Sequence, residues 1–133
     1  MVWRAAEIAA TLEKNRRNWD NHGIDFYQFR FQRSCRCVPE FRREAIVRVR
    51  DGSIQHAEYT DNGEVVDPAD FGRFLAIDDL FSLIAEALDA QAARIEVSYD
   101  PTYGYPTRLF IDRELTMADE EVEYQAADLL PLR

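Results

Sequence analysis

The sequence has few of the residues, and none of the motifs, from which an enzymatic chemistry is usually recognised. It contains two cysteines and two histidines. A structural zinc site would need Cys35, Cys37, His22 and His56 together, a spacing that matches no known zinc template. Motifs typical of nucleophile elbows, phosphate-binding loops, dinucleotide-binding folds and metalloprotease helices are also missing. We therefore expect neither an enzyme nor a cofactor.

Long apolar runs are missing as well. No stretch approaches the roughly 20 apolar residues that a membrane-spanning helix needs. The first residues, Met1–Glu7, lack the basic segment and apolar run of a secretory signal peptide. Two expectations stay open at this point: a cytoplasmic protein, or a chain from which a leader has been removed.

Positive charge is scarce and unevenly placed. The net charge is -9. Residues 1–50 carry 11 basic and 6 acidic residues, a net charge of +5, whereas residues 51–133 carry 5 and 19, a net charge of -14. An acidic protein whose arginines are scattered among strand residues is a poor nucleic-acid binder. We exclude nucleic acid and expect that a partner, where one exists, is another protein.

The composition is that of a soluble globular chain, with 47% hydrophobic and 31% charged residues. A length of 133 residues suits one domain covering residues 1–133. Helical periodicity predicts a first helix over about residues 4–20, ended by Gly23. It predicts a second helix over about residues 78–91, with Asp78 and Asp79 near its N-terminus.

Alternating patterns predict the strands. Three follow the first helix, over about residues 25–33, 45–50 and 53–59, and Asp51-Gly52 is a strong signal for a two-residue hairpin. Three more follow the second helix. The predicted order is α-β-β-β-α-β-β-β, an α+β fold with an antiparallel sheet, two helices on one face and a pseudo-repeat of two halves. The predicted core comprises Tyr27, Phe29, Phe31, Val47, Val49, Ile84, Leu88, Val97, Tyr99, Leu109 and Ile111.

Several short segments, taken together, are characteristic of one family. They are Trp19, Tyr27-Gln28-Phe29, Cys35-Arg36-Cys37, Val47–Gly52, Ile77–Phe81, Val97–Pro101, Gly104-Tyr105-Pro106, Ile111-Asp112 and Ala118–Glu121. In this combination the chain resembles DUF6174, a bacterial family of uncharacterised domains, from about residue 15 to the end. Family members are often exported proteins or lipoproteins. The resemblance therefore implies an extracytoplasmic location, periplasmic or at the cell surface, with a lipoprotein leader absent from this chain.

One residue departs from the family pattern. Ala76 stands where a threonine often precedes the Ile-Asp-Asp-Leu-Phe run. A threonine there could cap the second helix through its hydroxyl group. Its loss would cost about 1 kcal/mol if no other group caps the helix.

Cys35 and Cys37 form the first candidate site. Residues at i and i+2 of an extended segment point to the same side, so the two sulfur atoms are neighbours. Three alternatives stay open: a small disulfide ring, two reduced thiols, or half of a soft-metal site. Arg33 and Arg36 would favour the thiolate form of reduced cysteines. A disulfide would fix the end of the first strand or act as a redox group.

Two further groups are weaker candidates. Carboxylates at strand ends could offer the oxygen ligands that calcium prefers, although they equally suit turn starts and strand ends. These weak calcium candidates are Asp100, Asp112, Asp119 and Glu120. Aromatic residues around Gly104 could form an interaction surface, or instead cover the edge of the core. The candidate surface comprises the aromatic residues Tyr103 and Tyr105, with Pro106 beside them.

The function expected from these observations is that of an extracytoplasmic binding or interaction module without enzymatic activity. The alternative is thiol redox chemistry or soft-metal handling through Cys35 and Cys37. A binding module predicts exposed aromatic residues, and a redox protein predicts an accessible cysteine pair. An enzyme would instead place titratable groups together in a pocket.

Overall fold

A computed structural model describes residues 5–114 and 121–133. Within these residues the chain forms two α-helices and six β-strands in the predicted order. Two short 3-10 helices, Pro39–Arg42 and Pro68–Arg73, lie in the connections after β1 and β3. The principal elements are α1 (Ala5–His22), β1 (Phe26–Cys35), β2 (Ala45–Arg50), β3 (Ser53–Tyr59), α2 (Ile77–Asp89), β4 (Arg94–Tyr99), β5 (Pro106–Asp112) and β6 (Glu121–Pro131).

The strands form one antiparallel sheet in the order β3-β2-β1-β6-β5-β4. Each half of the chain contributes one helix and one three-stranded meander, as the sequence pattern predicted. The two meanders join through β1 and β6 at the centre of the sheet. The core lies on the face that the two helices cover, so the predicted α+β class is confirmed.

Two local irregularities shape the sheet. Asp51 and Gly52 both have positive φ, 50° and 79°, which is the conformation of the tight turn predicted between β2 and β3. In β6, Asp128 has φ 56°. The register between β1 and β6 shifts at this residue, as the pairings on either side show: Gln28 pairs with Leu130, but Arg30 pairs with Ala127. This β-bulge lies near the edge of the helix-covered core.

The predicted core is largely confirmed. Phe29 and Ile84 are 1% and 0% exposed, and the other residues of β1 and β2 that were predicted to lie in the core are at most 2% exposed. Leu88, Val97 and Tyr99 differ, because they are only partly buried against the core cluster. Val97 and Tyr99 belong to β4, the last strand of the sheet, which has a neighbour on one side only. Position at the sheet edge explains their residual exposure.

A junction of α1, β1 and α2 connects the helical layer to the sheet. The Trp19 ring makes an edge contact with the Tyr27 ring, with centroids 5.3 Å apart. Its Nε1 donates a hydrogen bond to Asp78 Oδ1 at 3.1 Å. The backbone N–H of Ile77 donates to the Tyr27 hydroxyl at 2.9 Å. Burial raises the pKa of the Tyr27 phenol well above its ordinary range, so this oxygen acts as a neutral acceptor.

The start of α2 is capped although Ala76 has no hydroxyl. The Ala76 backbone N–H donates to Asp79 Oδ2 at 2.9 Å, which is one half of a capping box. The Tyr27 hydroxyl satisfies the next backbone N–H, that of Ile77. One group of α2 itself, the Asp79 carboxylate, and one group of β1, the Tyr27 hydroxyl, therefore satisfy two backbone N–H groups at the start of the helix without a threonine at position 76.

The connection between β4 and β5 is an ordered, hydrogen-bonded turn that packs on α1. Asp100 Oδ2 accepts hydrogen bonds from the backbone N–H groups of Thr102 and Tyr103, at 3.0 and 2.7 Å. The N–H of Gly104 donates to the carbonyl of Asp100 at 2.9 Å. Gly104 has φ +84°, and a Cβ atom there would lie 2.6 Å from the carbonyl oxygen of Asn15. Glycine is required both for this backbone conformation and for the close approach to α1.

We predict that Gly104→Ala lowers the free energy of unfolding by more than about 1 kcal/mol, because it adds both a positive-φ strain and a backbone clash. Thr102→Ala is the matched control, since the exposed Thr102 contributes to the turn through its backbone. Urea unfolding monitored by tryptophan fluorescence measures both changes. Equal effects of the two substitutions would contradict this account of the turn.

Candidate functional site: the cystine cleft

The cysteine pair lies at the end of the central strand β1. Cys35 is the last residue of β1 and pairs with Val122 of β6. A disulfide joins Cys35 to Cys37, with their Cα atoms 5.3 Å apart. Both cysteines are half-buried, while Arg36 between them is exposed. The strand therefore ends in a small covalent ring at the rim of the sheet.

The segment after the ring folds back over the end of β1. Val38 is extended, as a residue before proline prefers, and Pro39 opens the 3-10 helix. The N–H of Phe41 donates to the carbonyl of Val38 at 3.0 Å. Gln32 of β1 then donates through Nε2 to the carbonyl of Arg42 at 3.2 Å. These bonds hold Phe41 close to the ring.

A second segment forms the opposite wall. The Asp67 side chain caps the 3-10 helix Pro68–Arg73 by accepting from the Ala69 N–H at 2.9 Å. Arg33 Nη1 donates to the carbonyl of Arg73 at 2.8 Å and so joins this helix to β1. A cleft of about 540 Å³ lies between the two walls. We call it the cystine cleft; its lining includes Arg33, Cys35, Cys37, Phe41, Asp70 and Arg73.

Aromatic rings and acidic groups hold the arginines of the cleft in place. The Arg33 guanidinium lies 5.6 Å from the ring centroid of Phe31 and 5.4 Å from that of Tyr124. Arg73 Nη1 donates to the Tyr59 hydroxyl at 3.0 Å, and its guanidinium lies over Phe41. The bond to Tyr59 is the main reason that the pKa of Arg73 is raised. The cleft therefore has fixed positive charges.

A second cleft, of about 600 Å³, borders the first and shares Asp70 and Arg73 with it. Arg43 lies 3.6 Å above the Tyr59 ring centroid and forms a two-point hydrogen bond with the Asp61 carboxylate. This bond holds the pKa of Asp61 below its usual range. These contacts join the residue after the first 3-10 helix to the end of β3 and to the turn that follows it.

Exposed apolar side chains surround the cystine. Val38 and Phe41 are 57% and 40% exposed. Phe41 lies in the 3-10 helix that follows the disulfide, and Val38 directly precedes this helix. Apolar side chains bordered by arginine are typical of protein interaction surfaces, where aromatic residues and arginine are enriched. The cleft therefore combines a concave surface, an exposed apolar side chain that a partner could contact, and arginine side chains.

The tyrosine surface proposed from the sequence is not formed. Tyr105 is 4% exposed and packs edge-on against Trp19, and Pro106 is fully buried. Tyr103 is half-buried beside His22, with ring centroids 5.1 Å apart. The turn folds under α1 because Gly104 allows a close approach, so these side chains complete the core edge.

The calcium expectation is also corrected. The Asp100 carboxylate accepts hydrogen bonds from two backbone N–H groups of the β4–β5 turn. Asp112 lies at the other end of β5, where it is 4% exposed and accepts a hydrogen bond from the Glu114 N–H. A strand of this length separates the two by roughly 20 Å, so they share no site. Asp119 and Glu120 lie outside the described residues.

Sequence reasoning located the cysteines but missed most of the cleft. Phe41 and Arg73 lie in non-periodic segments, for which no strand or helix pattern makes a prediction. One signal could have drawn attention to Phe41: an aromatic residue between charged residues, following Val38-Pro39. Arg73 could be placed only by folding, since its partners Tyr59 and Arg33 are distant in sequence.

The fold and the site define a small α+β domain with a disulfide-walled surface cleft. The profile of the family of unknown function DUF6174 matches residues 11–131. The chain belongs to this family, as the sequence resemblance indicated. No curated protein and no solved structure matches the chain. No helix among the described residues is long and apolar enough to cross a membrane.

We predict that the native protein, prepared without reductant, takes up no thiol-alkylating label and gains two labels after reduction, because its two cysteines are paired. Intact-mass spectrometry counts the labels. The ring is small and constrains the unfolded chain little, so replacing both cysteines by serine should change the free energy of unfolding by less than the usual 2–4 kcal/mol. Labelling of the unreduced native protein would contradict the pairing.

Proposed function

We propose that the protein is a non-enzymatic binding module whose binding site is the cystine cleft. The observation that carries this proposal is the exposure of Val38 and Phe41 beside a disulfide-walled cleft. A folded domain gains little by leaving such side chains in water, whereas a partner can bury them. The arginines held beside them would orient that partner.

The partner that fits this site is a polypeptide segment with an apolar side chain next to a carboxylate. The apolar side chain would enter beside Phe41 and the disulfide. Two arginines, Arg33 and Arg73, line the cleft together with one carboxylate, that of Asp70. Arg73 forms ion pairs with Asp70 and Glu40, whereas Arg33 donates to the backbone carbonyl of Arg73. An acidic group of the partner would therefore find its complement at the Arg33 guanidinium.

The proposed location is outside the cytoplasm. A disulfide such as Cys35–Cys37 persists in oxidising compartments and is rare in the cytosol. The domain has a core large enough to be stable without a staple, so the disulfide serves the rim rather than the fold.

The second candidate function is thiol–disulfide exchange at the same residues. Cys35 lines the cystine cleft on one side and a cleft of about 290 Å³ on the other, so a thiolate can approach the disulfide from two directions. In such a step a partner dithiol is oxidised to a disulfide. Its two electrons and two protons convert the cystine to two thiols.

Site-specific photo-crosslinking tests the binding role. A photoreactive amino acid replaces Phe41 in the protein expressed in its host. The control replaces Leu130, an apolar residue of similar exposure (51%) that lies on β6. We expect a discrete covalent adduct from position 41 and none from position 130. Adding Val38→Asp should abolish the adduct, because it puts a negative charge on the apolar rim.

The cysteine variant separates the two candidate functions. If the module only binds, Cys35→Ser with Cys37→Ser keeps the adduct from position 41. If the protein exchanges disulfides, the same variant loses exchange with a model dithiol while the wild type retains it. Equal adducts at positions 41 and 130, or none at either, would overturn the binding role of the cleft.

A further inference from the structure

The two outer edges of the sheet are treated differently. At the β3 edge, the segment 64–66 closes the strand: the N–H of Tyr59 donates to the Glu64 carbonyl and that of Val66 to the Ala57 carbonyl, both at 2.9 Å. At the other edge, β4 pairs with β5 only, and no other described residue hydrogen bonds to its outer side. The outward N–H and C=O groups of β4 therefore have the spacing that hydrogen bonding to a further strand requires.

A groove runs beside this open edge. The N-terminal half of α1 and the helix-facing side of β4 enclose about 190 Å³. Val97 and Tyr99 are half-buried there, whereas Leu109, the partner of Val97 on β5, is 1% exposed. The missing burial is on the side where a further strand would lie. The groove is lined by Glu7, Ile8, Thr11, Val97 and Tyr99.

The opposite face of β4 does little to repel a neighbouring strand. Arg94 and Arg108 both form ion pairs with Glu96. These contacts hold the pKa of Glu96 below its usual range, so its charge is compensated. Edge strands are commonly protected by unpaired charges, prolines or bulges on the outer side. The residues of β4 include no proline, and its charges are already paired within the sheet. The register shift between Ser98 and Tyr99 places the additional residue, Thr107, on the neighbouring strand β5 and not on β4.

We propose that the β4 edge is a second binding surface, which takes an extended segment of a partner polypeptide as a seventh strand. The backbone of the segment pairs with the outward groups of β4. Every second side chain of the segment points toward the helix layer, and one of them, small and apolar, fills the groove between α1 and Val97. Strand addition of this kind takes its affinity from the main chain and its specificity from such a groove.

The test uses defined peptides and the full-length protein labelled with ¹⁵N. The probe is a capped hexapeptide in which Val and Thr alternate, and the control is the same peptide with every backbone nitrogen methylated. We expect saturable amide shifts confined to residues 94–99 and 7–11 with the probe, and none with the control. Amide exchange in β4 should slow by about tenfold or more at saturation, because outward N–H groups become hydrogen bonded.

Substitutions at the groove provide the matched comparison. Thr11 is exposed on α1, so Thr11→Trp fills the groove without touching the core, and Thr11→Ala is its control. We expect Thr11→Trp to weaken the binding of the probe peptide by at least about tenfold, and Thr11→Ala to change its affinity little. The proposal would be overturned by amide shifts at β3, by amide shifts that Thr11→Trp leaves unchanged, or by the absence of amide shifts with the probe. A concentration-dependent dimer through β4 would also overturn it, since it would make a second copy the occupant.

Discussion

One contact set, between Trp19, Tyr27 and the first turn of α2, joins the two halves of the molecule through the helix layer, in addition to the pairing of β1 with β6 in the sheet. Tyr27 starts the central strand β1 of the first half, and its hydroxyl accepts from the first backbone N–H of the helix that opens the second half. Trp19 covers the same ring and donates to Asp78. A buried N–H without a partner costs about 1–3 kcal/mol, so a side chain must reach this point. The junction thereby fixes α2 over the sheet and gives the β4–β5 turn a surface, because Tyr105 packs against the same Trp19 ring.

The position of this junction explains where binding surfaces remain. Tyr27 and Cys35 lie at opposite ends of β1, roughly 25 Å apart for a strand of this length. At the Tyr27 end, two helices and the β4–β5 turn close the core. At the Cys35 end, the described residues that cover the strand form two short 3-10 segments, and these leave the cystine cleft and the exposed Phe41. The proposed binding site therefore lies at the less covered end of β1.

Periodicity was enough to predict the order of the elements and most of the core, because burial on one face imposes it directly on residues such as Phe29 and Ile84. Glycine chemistry likewise predicted the left-handed conformation of Gly104. The cleft could not be predicted in the same way. Arg73 and Phe41 come together through hydrogen bonds and ring contacts between segments without a repeating pattern. For a related reason the sequence left two alternatives open for the tyrosines near Gly104, an interaction surface or cover of the core edge: their alternation gives no sign of a helix packing over the turn. The pairing of β1 with β6 at the centre of the sheet joins residues about ninety positions apart, and neither the strand period nor the helix period of the sequence predicts it.

The most direct test of the junction compares two buried phenols. The Tyr27 hydroxyl accepts from Ile77, whereas the Tyr99 hydroxyl is buried and has no hydrogen-bond partner among the described residues; burial raises the pKa of Tyr99 to about 12. Removing each hydroxyl by Tyr→Phe keeps the ring and its packing. Chemical denaturation should show that Tyr27→Phe lowers the free energy of unfolding by about 1–3 kcal/mol, while Tyr99→Phe leaves it unchanged or raises it. Equal losses for the two variants, or a neutral Tyr27→Phe, would contradict the claim that this hydrogen bond joins the halves of the fold.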